Sequence, residues 1–234
     1  MKRISVIIAT YQHAQTLGSC LESLFAQTRK PDEVIVVDDG STDTTKEVVN
    51  AFGDQVNYFF QENQGAPSAR NFGMKQVTGD YVLFCDADVI AHPSMLEKME
   101  RALETHPEAA YAYSGMRFGH KRFRSQPFSV DKLRKQNYIH TTSLIRTEVR
   151  PRFDESIKRF QDWDLWLTLL EEGKHGVGIE EELFVIRSAP GRKGISQWVP
   201  SFLYRVPWPL LGWKPAAIRR YDDAKEIVQR KHHL

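Results

Sequence analysis

Cysteine is nearly absent from this 234-residue chain. The two present are Cys20, inside a helical pattern, and Cys85, at the end of an apolar strand pattern. Two such residues do not make a disulfide framework and fit a pair of core thiols in a reducing compartment. Long apolar runs are missing as well. No stretch reaches the ~20 residues that a membrane span needs. The run Ile4 to Ala9, behind Met-Lys-Arg, is too short for a signal-peptide core. The expected location is therefore cytoplasmic. An excess of one charge is also lacking: 32 Lys and Arg stand against 30 Asp and Glu, a net +2. That balance gives no electrostatic footprint for nucleic acid, and none is expected as a partner.

What is present, at 41% hydrophobic and 26% charged residues, is the composition of one folded α/β domain. Ile4-Ser-Val-Ile-Ile-Ala9 is short, β-branched and almost continuously apolar, as in a strand buried on both faces. Leu17, Leu21, Leu24 and Phe25 then fall on one face of a helix over 14–27. Glu33-Val-Ile-Val-Val37 is a second buried strand. Asp38-Asp-Gly-Ser41 turns the chain, and Ser41 or Thr42 is placed to cap a helix reaching Phe52. The rhythm repeats with a strand over 56–61, a helix over 67–77, a strand over 81–85 and a helix that starts near Pro93 and ends near Thr105. Such alternation predicts a doubly wound, mainly parallel (mixed) sheet with helices on both faces. Later signals are a strand over 109–118, a basic aromatic loop over 117–124, strands over 141–145 and 183–186, and between these two a helix opened by Asp162 and closed by Gly173.

Ligands of such sheets bind beyond the carboxyl ends of the strands. Acidic groups gather there: Asp38-Asp39 after the second strand, Asp86-Ala-Asp88 after the fourth, and Gln161-Asp162-Trp-Asp164 at the late helix. Converging carboxylates repel unless a cation or hydrogen-bond donors offset them. A hard divalent ion shared with a ligand diphosphate meets that need. Each cluster has a plainer role too: a turn, a solvated strand end, a helix start complemented by negative charge.

Taken in order, the motifs resemble those of the family 2 glycosyltransferases of GT-A fold. They are Ser5-Val-Ile-Ile-Ala-Thr-Tyr11, Leu21-Glu-Ser-Leu-Phe-Ala-Gln-Thr28, Glu33-Val-Ile-Val-Val-Asp-Asp-Gly-Ser-Thr-Asp43, Asn63-Gln-Gly-Ala-Pro-Ser-Ala-Arg-Asn-Phe-Gly73, Gly79-Asp-Tyr-Val-Leu-Phe-Cys-Asp-Ala-Asp88, and Phe153-Asp-Glu-Ser156 with Gln161-Asp-Trp-Asp-Leu-Trp-Leu167. They cover residues 3 to 188. The resemblance implies an inverting enzyme that moves a sugar from a nucleotide-diphosphate donor, a UDP-sugar first, to a hydroxyl of a glycan, lipid-linked or protein acceptor. It implies Mn2+ or Mg2+ as cofactor. Ala9 and Tyr11 match positions at the nucleotide base, and Asp39 matches the carboxylate that hydrogen-bonds it. Arg70 matches a segment along the donor, Asp86 a position near ribose and metal, Asp88 the metal ligand, and Asp162 the general base.

Two departures stand out. The residue before the base is Gln161 rather than Glu, which removes a charge and is expected to let Asp162 ionise more readily. The late Arg187 is not followed by the usual His. These departures are the only support for the alternative of a non-catalytic nucleotide-sugar-binding protein. A Gly-rich loop after the first strand, which a dehydrogenase or a sugar-nucleotide pyrophosphorylase would need, is absent; the chain there is Tyr11-Gln-His-Ala14. Arg117 to Arg124 fits a solvated loop, or a clamp for an anionic acceptor or donor phosphate. His140 is expected to be structural, and Trp163 and Trp166 to be core, with Trp163 a candidate platform for an acceptor ring. Residues 1–190 are expected to form the transferase domain and 191–234 an extension. From Arg187 onward the chain carries ten Lys or Arg against three Asp or Glu. With Trp198, Phe202, Leu203, Trp208, Leu210, Leu211 and Trp213 among them, this tail suits either packing on the domain or peripheral contact with the inner face of a membrane.

Overall fold

The computed structural model describes residues 2–187, 206, 208 and 215–234. Its first half alternates β1 (Ile4–Thr10), α1 (Ala14–Phe25), β2 (Glu33–Asp39), α2 (Thr45–Asn50), β3 (Asn57–Gln61), α3 (Ala66–Met74), β4 (Tyr81–Asp86), β5 (Val89–Ala91) and α4 (Met95–Thr105). The second half adds β6 (Tyr111–Phe118), β7 (Lys121–Phe123), α5 (Val130–Lys135), β8 (Leu144–Arg146), α6 (Gln161–Glu171), β9 (Gly176–Ile186) and α7 (Ala216–Lys231). The strands of the described residues join in one sheet ordered β3-β2-β1-β4-β8-β6-β9-β5, with β7 paired to β6.

β1 is flanked in parallel by β2 and β4, which is why all three read as unbroken apolar runs. Side chains alternate between faces along a strand. Ile4, Val6 and Ile8 meet Leu17, Leu21 and Leu24 of α1 and Met95 and Met99 of α4. Ile7, Ile35, Val37 and Phe84 point the other way, into the layer holding Ala69 of α3 and Trp163, Trp166 and Leu169 of α6. Gly73 lets α3 lie close on this second face, since a Cβ there would fall 2.6 Å from Ile7 Cγ2.

The sheet has to curl. β5 is the last strand on the path, yet only Ala87 and Asp88 separate it from β4. β4, β8, β6, β9 and β5 therefore bend into an incomplete ring. The carboxyl ends of β1, β2, β4, β6 and β9 share one rim with the starts of antiparallel β8 and β5.

Several expectations need correcting. Neither Ser41 nor Thr42 caps α2. Their hydroxyls accept the backbone N–H of Gln12 (2.8 Å) and its side-chain amide (2.7 Å), while Asp43 Oδ1 accepts the Thr45 N–H at 3.1 Å. The basic loop is a tight hairpin, because Phe118 pairs with Lys121 across a two-residue tip. The final strand begins at Gly176, well before Leu183, along a register that shifts between Ser114 and Met116. Most of the aromatic tail, including Trp198, Phe202, Leu203, Leu210, Leu211 and Trp213, lies outside the described residues. No helix among the described residues is long and apolar enough to cross a membrane.

α7 escaped the sequence reading because its apolar residues are interspersed with many charged ones; only Ile218 and Val228 are buried. Charged groups hold much of the rest. His232, just beyond its end, places Nε2 2.9 Å from Asp164 Oδ1 and Nδ1 2.8 Å from Glu171 Oε1. Lys231 Nζ lies 2.7 Å from Asp154 and 2.8 Å from Asp164. At the other end of α6, Tyr221 packs edge-on against Phe160, centroids 5.1 Å apart.

Burial pulls the His232 imidazole toward neutrality, but its bonds to Asp164 and Glu171 outweigh this and raise its pKa above the ordinary 6.5. The stabilisation it supplies is complete below that value and is lost as pH rises through the higher folded one. His232→Ala removes one partner of a buried carboxylate that keeps Lys231, at a cost of about 1–3 kcal/mol. Urea denaturation at pH 6 should show that loss. His232→Gln should flatten the decline in stability that the parent protein shows above neutrality.

Candidate active site

The rim gathers its residues by different routes. Near the end of β1 stands Ala9, whose Cα neighbours are Val37 on one side and Asp86 on the other. Tyr11 follows, 42% exposed, an aromatic face open to solvent. Next in the sheet, Asp38 and Asp39 end β2 and are buried. Asp38 accepts the Ser41 N–H (2.8 Å), a turn contact, and the Tyr58 hydroxyl of β3 (2.9 Å). Asp39 accepts Gln61 Nε2 (2.7 Å), Gln64 N–H (2.9 Å) and Gly65 N–H (2.8 Å). It thus fastens the loop before α3. A carboxylate has about four acceptor positions, so one stays open at Asp39. Gly40, at φ +84, passes so close to Asn63 that a Cβ would come within 2.9 Å of its backbone nitrogen.

Arg70 joins two distant motifs. It is buried on α3, and its guanidinium donates to Asp86 Oδ1 at 2.8 Å and to Gln161 Oε1 at 2.9 Å. Its plane lies over Phe153, 5.0 Å from the ring centroid. The end of β4 and the start of α6 thereby share one fork of N–H groups. Burial works to raise the Asp86 pKa, but Arg70, His140 and His13 outweigh it and hold this carboxyl below its ordinary value.

Asp162, on the first turn of α6, is affected in the opposite sense. Burial raises its pKa, opposed incompletely by His140, Asn137, the Trp163 N–H and Arg70. Gln161 is expected to let Asp162 ionise more readily than in relatives with Glu there; against an ordinary aspartate, desolvation dominates. The Trp163 N–H donates to Asp162 Oδ1 at 2.9 Å.

His140, expected to be structural, also faces the acidic rim. Its Nδ1 accepts the Thr142 N–H at 3.0 Å, so the ring proton belongs on Nε2, which faces Asp86 Oδ2 at 3.6 Å. The ring packs on Phe184, centroids 5.1 Å apart. Asn137 was missed altogether. Polar residues before an antiparallel strand look like any loop; a signal lay only in β8 starting at the rim. Trp163 is no sugar platform, being 1% exposed with Nε1 donating to Leu133 O.

Asp88 lies half-buried before β5, its carbonyl accepting the Arg187 N–H at 2.8 Å. No group of three or more His, Cys, Asp or Glu able to hold a metal occurs among the described residues. Two carboxylates on one rim, one oxygen of Asp86 already given to Arg70, make half a hard-ion site. Such a set fits an ion whose other ligands are diphosphate oxygens and water. A cavity of about 570 Å³ lined by Val130, Arg134, Leu170, Glu171, His175 and Leu234 opens elsewhere, at the far end of α6, and holds none of these groups.

Residues 5–161 match the family described as glycosyl transferase family 2. The chain belongs to that family. An uncharacterized glycosyltransferase of Rickettsia typhi is 31% identical to this family 2 chain over 185 residues, 71% of this chain and 58% of the relative's length. The chain thus spans little more than half of that relative. Among solved structures, S. aureus TarS 1-349 in complex with UDP-GlcNAc superposes with a TM-score of 0.71 at 22% identity, covering 87% of this chain and 64% of that one. The mannosyltransferase PcManGT from Pyrobaculum calidifontis, in complex with GDP-Man and Mn2+, gives 0.66 at 18% identity over 97% and 70%. The fold is the GT-A arrangement that the motifs led us to expect.

Arg70 should tolerate replacement poorly. Lysine cannot reach two acceptors with a planar fork. Arg70→Lys is expected to lower stability by about 1–2 kcal/mol, the value for a partly exposed ion pair with a further hydrogen bond. Arg70→Ala should cost more and bring the Asp86 carboxyl up, which carbonyl-carbon NMR titration reads directly.

Proposed function

We propose that this family 2 chain transfers a sugar from a nucleoside-diphosphate donor, a UDP-sugar in first place, to an acceptor hydroxyl with inversion. The observation that carries this reading is the Arg70 fork, which ties Asp86 of the Asp-Ala-Asp motif to Gln161 beside Asp162. Residues 1–190 form the transferring unit, and 191–234 an extension whose α7 braces α6.

Tyr11 and the Ala9 backbone receive the base, and the open acceptor position of Asp39 takes an N–H from it. Asp88, with Asp86, would hold a divalent cation, Mn2+ or Mg2+. When bound, such an ion offsets charge on the departing diphosphate. Arg70 keeps Asp86 ionised and oriented. Asp162 accepts the proton of the attacking hydroxyl from the face opposite the leaving group, and one displacement inverts the anomeric carbon. Its raised pKa makes it a stronger base than an ordinary aspartate. Asn137 and His140 orient its carboxylate.

Nucleotide-sugar hydrolysis and transfer, followed in the presence of Mn2+, give the test. Asp88→Ala should abolish both and weaken metal-dependent nucleotide binding. Asp162→Asn should leave donor affinity within twofold and reduce transfer about 10²–10⁴-fold. Equal loss of binding and transfer in Asp162→Asn would remove it from the role of base.

The pH profile supplies an independent check. A base must be ionised to act, so a raised pKa moves the acid limb of kcat/KM upward. That limb should lie above the ordinary aspartate value of 3.8, and activity should fall as pH drops through it. Asp162→Asn should erase the limb from its residual activity.

A further inference from the structure

The β6–β7 hairpin carries Arg117, His120, Lys121, Arg122 and Arg124 within eight positions. All five are exposed. Arg117 and Arg122 are direct cross-strand partners, an arrangement that costs stability because like charges face one another. Only Arg122 is relieved, by an ion pair with Glu182 on β9. Among the described residues Arg117, His120 and Arg124 make no ion pair or side-chain hydrogen bond. Three of the five cations thus hold no partner among the described residues.

The hairpin's place in the ring gives this cationic surface a use. Phe118 pairs with Ile186 of β9, and Ile186 pairs with Val89 of β5, the residue after Asp88. The last pair of the hairpin before its tip is therefore two strand spacings, about 10 Å, from the Asp-Ala-Asp turn. A two-residue tip, with Gly119 at φ +56, keeps the turn tight. The gap leaves room beside a diphosphate held at Asp88. It is the right size for a second anionic group on the molecule that brings the hydroxyl.

We infer that the acceptor carries a phosphate monoester or diester, gripped by Arg117, His120 and Arg124 while its hydroxyl approaches Asp162. The inference rests on the transferase reading above. It narrows the acceptor from any hydroxyl compound to phosphorylated polyols, free or as the headgroup of a lipid. Guanidinium groups suit this partner because their planar N–H pairs match phosphate oxygens.

Glycerol 3-phosphate and glycerol serve as matched probes, followed by protein NMR with the donor site filled by UDP and Mn2+, and again without them. The phosphate compound should bind at least tenfold more tightly than glycerol and weaken as salt rises. The double variant Arg117→Gln, Arg124→Gln should lose at least tenfold of that affinity with its melting temperature not lowered and its UDP affinity unchanged. Arg117→Lys should retain part of it. Equal binding of the two probes, or phosphate binding indifferent to the double variant, would overturn the inference. Failure of the parent protein to bind UDP would instead count against the donor reading, since the arm without nucleotide still reports on phosphate. Co-sedimentation with phosphatidylglycerol vesicles, compared with phosphatidylcholine vesicles and with the double variant, separates sources. Retention that needs both the anionic lipid and the two arginines assigns the phosphate to a lipid, and its absence alongside glycerol 3-phosphate binding assigns it to a soluble acceptor.

Discussion

The guanidinium of Arg70, shared between Asp86 and Gln161, is the contact on which the site depends. Three carboxylates on one sheet rim repel each other, and a protein that collects them has to supply opposite charge or hydrogen-bond donors. Arg70 does so from the helix after β3, buried and stacked on Phe153. It divides the acidic groups into two kinds. Asp86 is held ionised by direct contact, whereas Asp162, one residue beyond the other end of the fork, sits in a poorly solvated pocket that raises its pKa. Gln161 matters here. A neutral carbonyl at this point takes the second N–H pair without competing with Asp86 for the charge.

Around that contact the curled sheet decides what can meet what. β4 and β5 are neighbours in sequence and far apart along the hydrogen-bonded path, so closing that gap turns β8, β6 and β9 round the Asp-Ala-Asp turn. His140 arrives with β8, Arg187 with β9, and the basic hairpin with β6. α7 then braces α6 at both ends, through Tyr221 on Phe160 and His232 on Asp164 and Glu171. The helix that carries the proposed base is thus held by tertiary contacts rather than by its own propensity alone.

Much of the first half was legible residue by residue. β1, β2 and β4 announce themselves as buried parallel strands because both of their faces are covered, and short apolar runs of four to six residues bounded by turns have few other uses. The Asp clusters could be placed on the rim because strands of one sense put their ends together. Legibility failed where structure comes from distant partners. β5 and β7 are three-residue strands that exist only through β9 and β6, and no local pattern of that length is distinctive. α7 has two buried apolar residues and many charged ones, so its docking rests on ion pairs that periodicity does not register.

The sequence alone determined the parallel core, the order of its elements and the identity of the acidic motifs, because these follow from local alternation of apolar and polar residues and from turn chemistry. Only the tertiary structure decided that Arg70 links Asp86 to Gln161, that His140 faces the same carboxylate, and that burial raises the Asp162 pKa where the loss of a neighbouring charge alone would lower it. Those outcomes depend on distances between residues 16 to 91 positions apart and on how much water is excluded between them. Neither quantity is written in a linear pattern; both appear when the sheet closes.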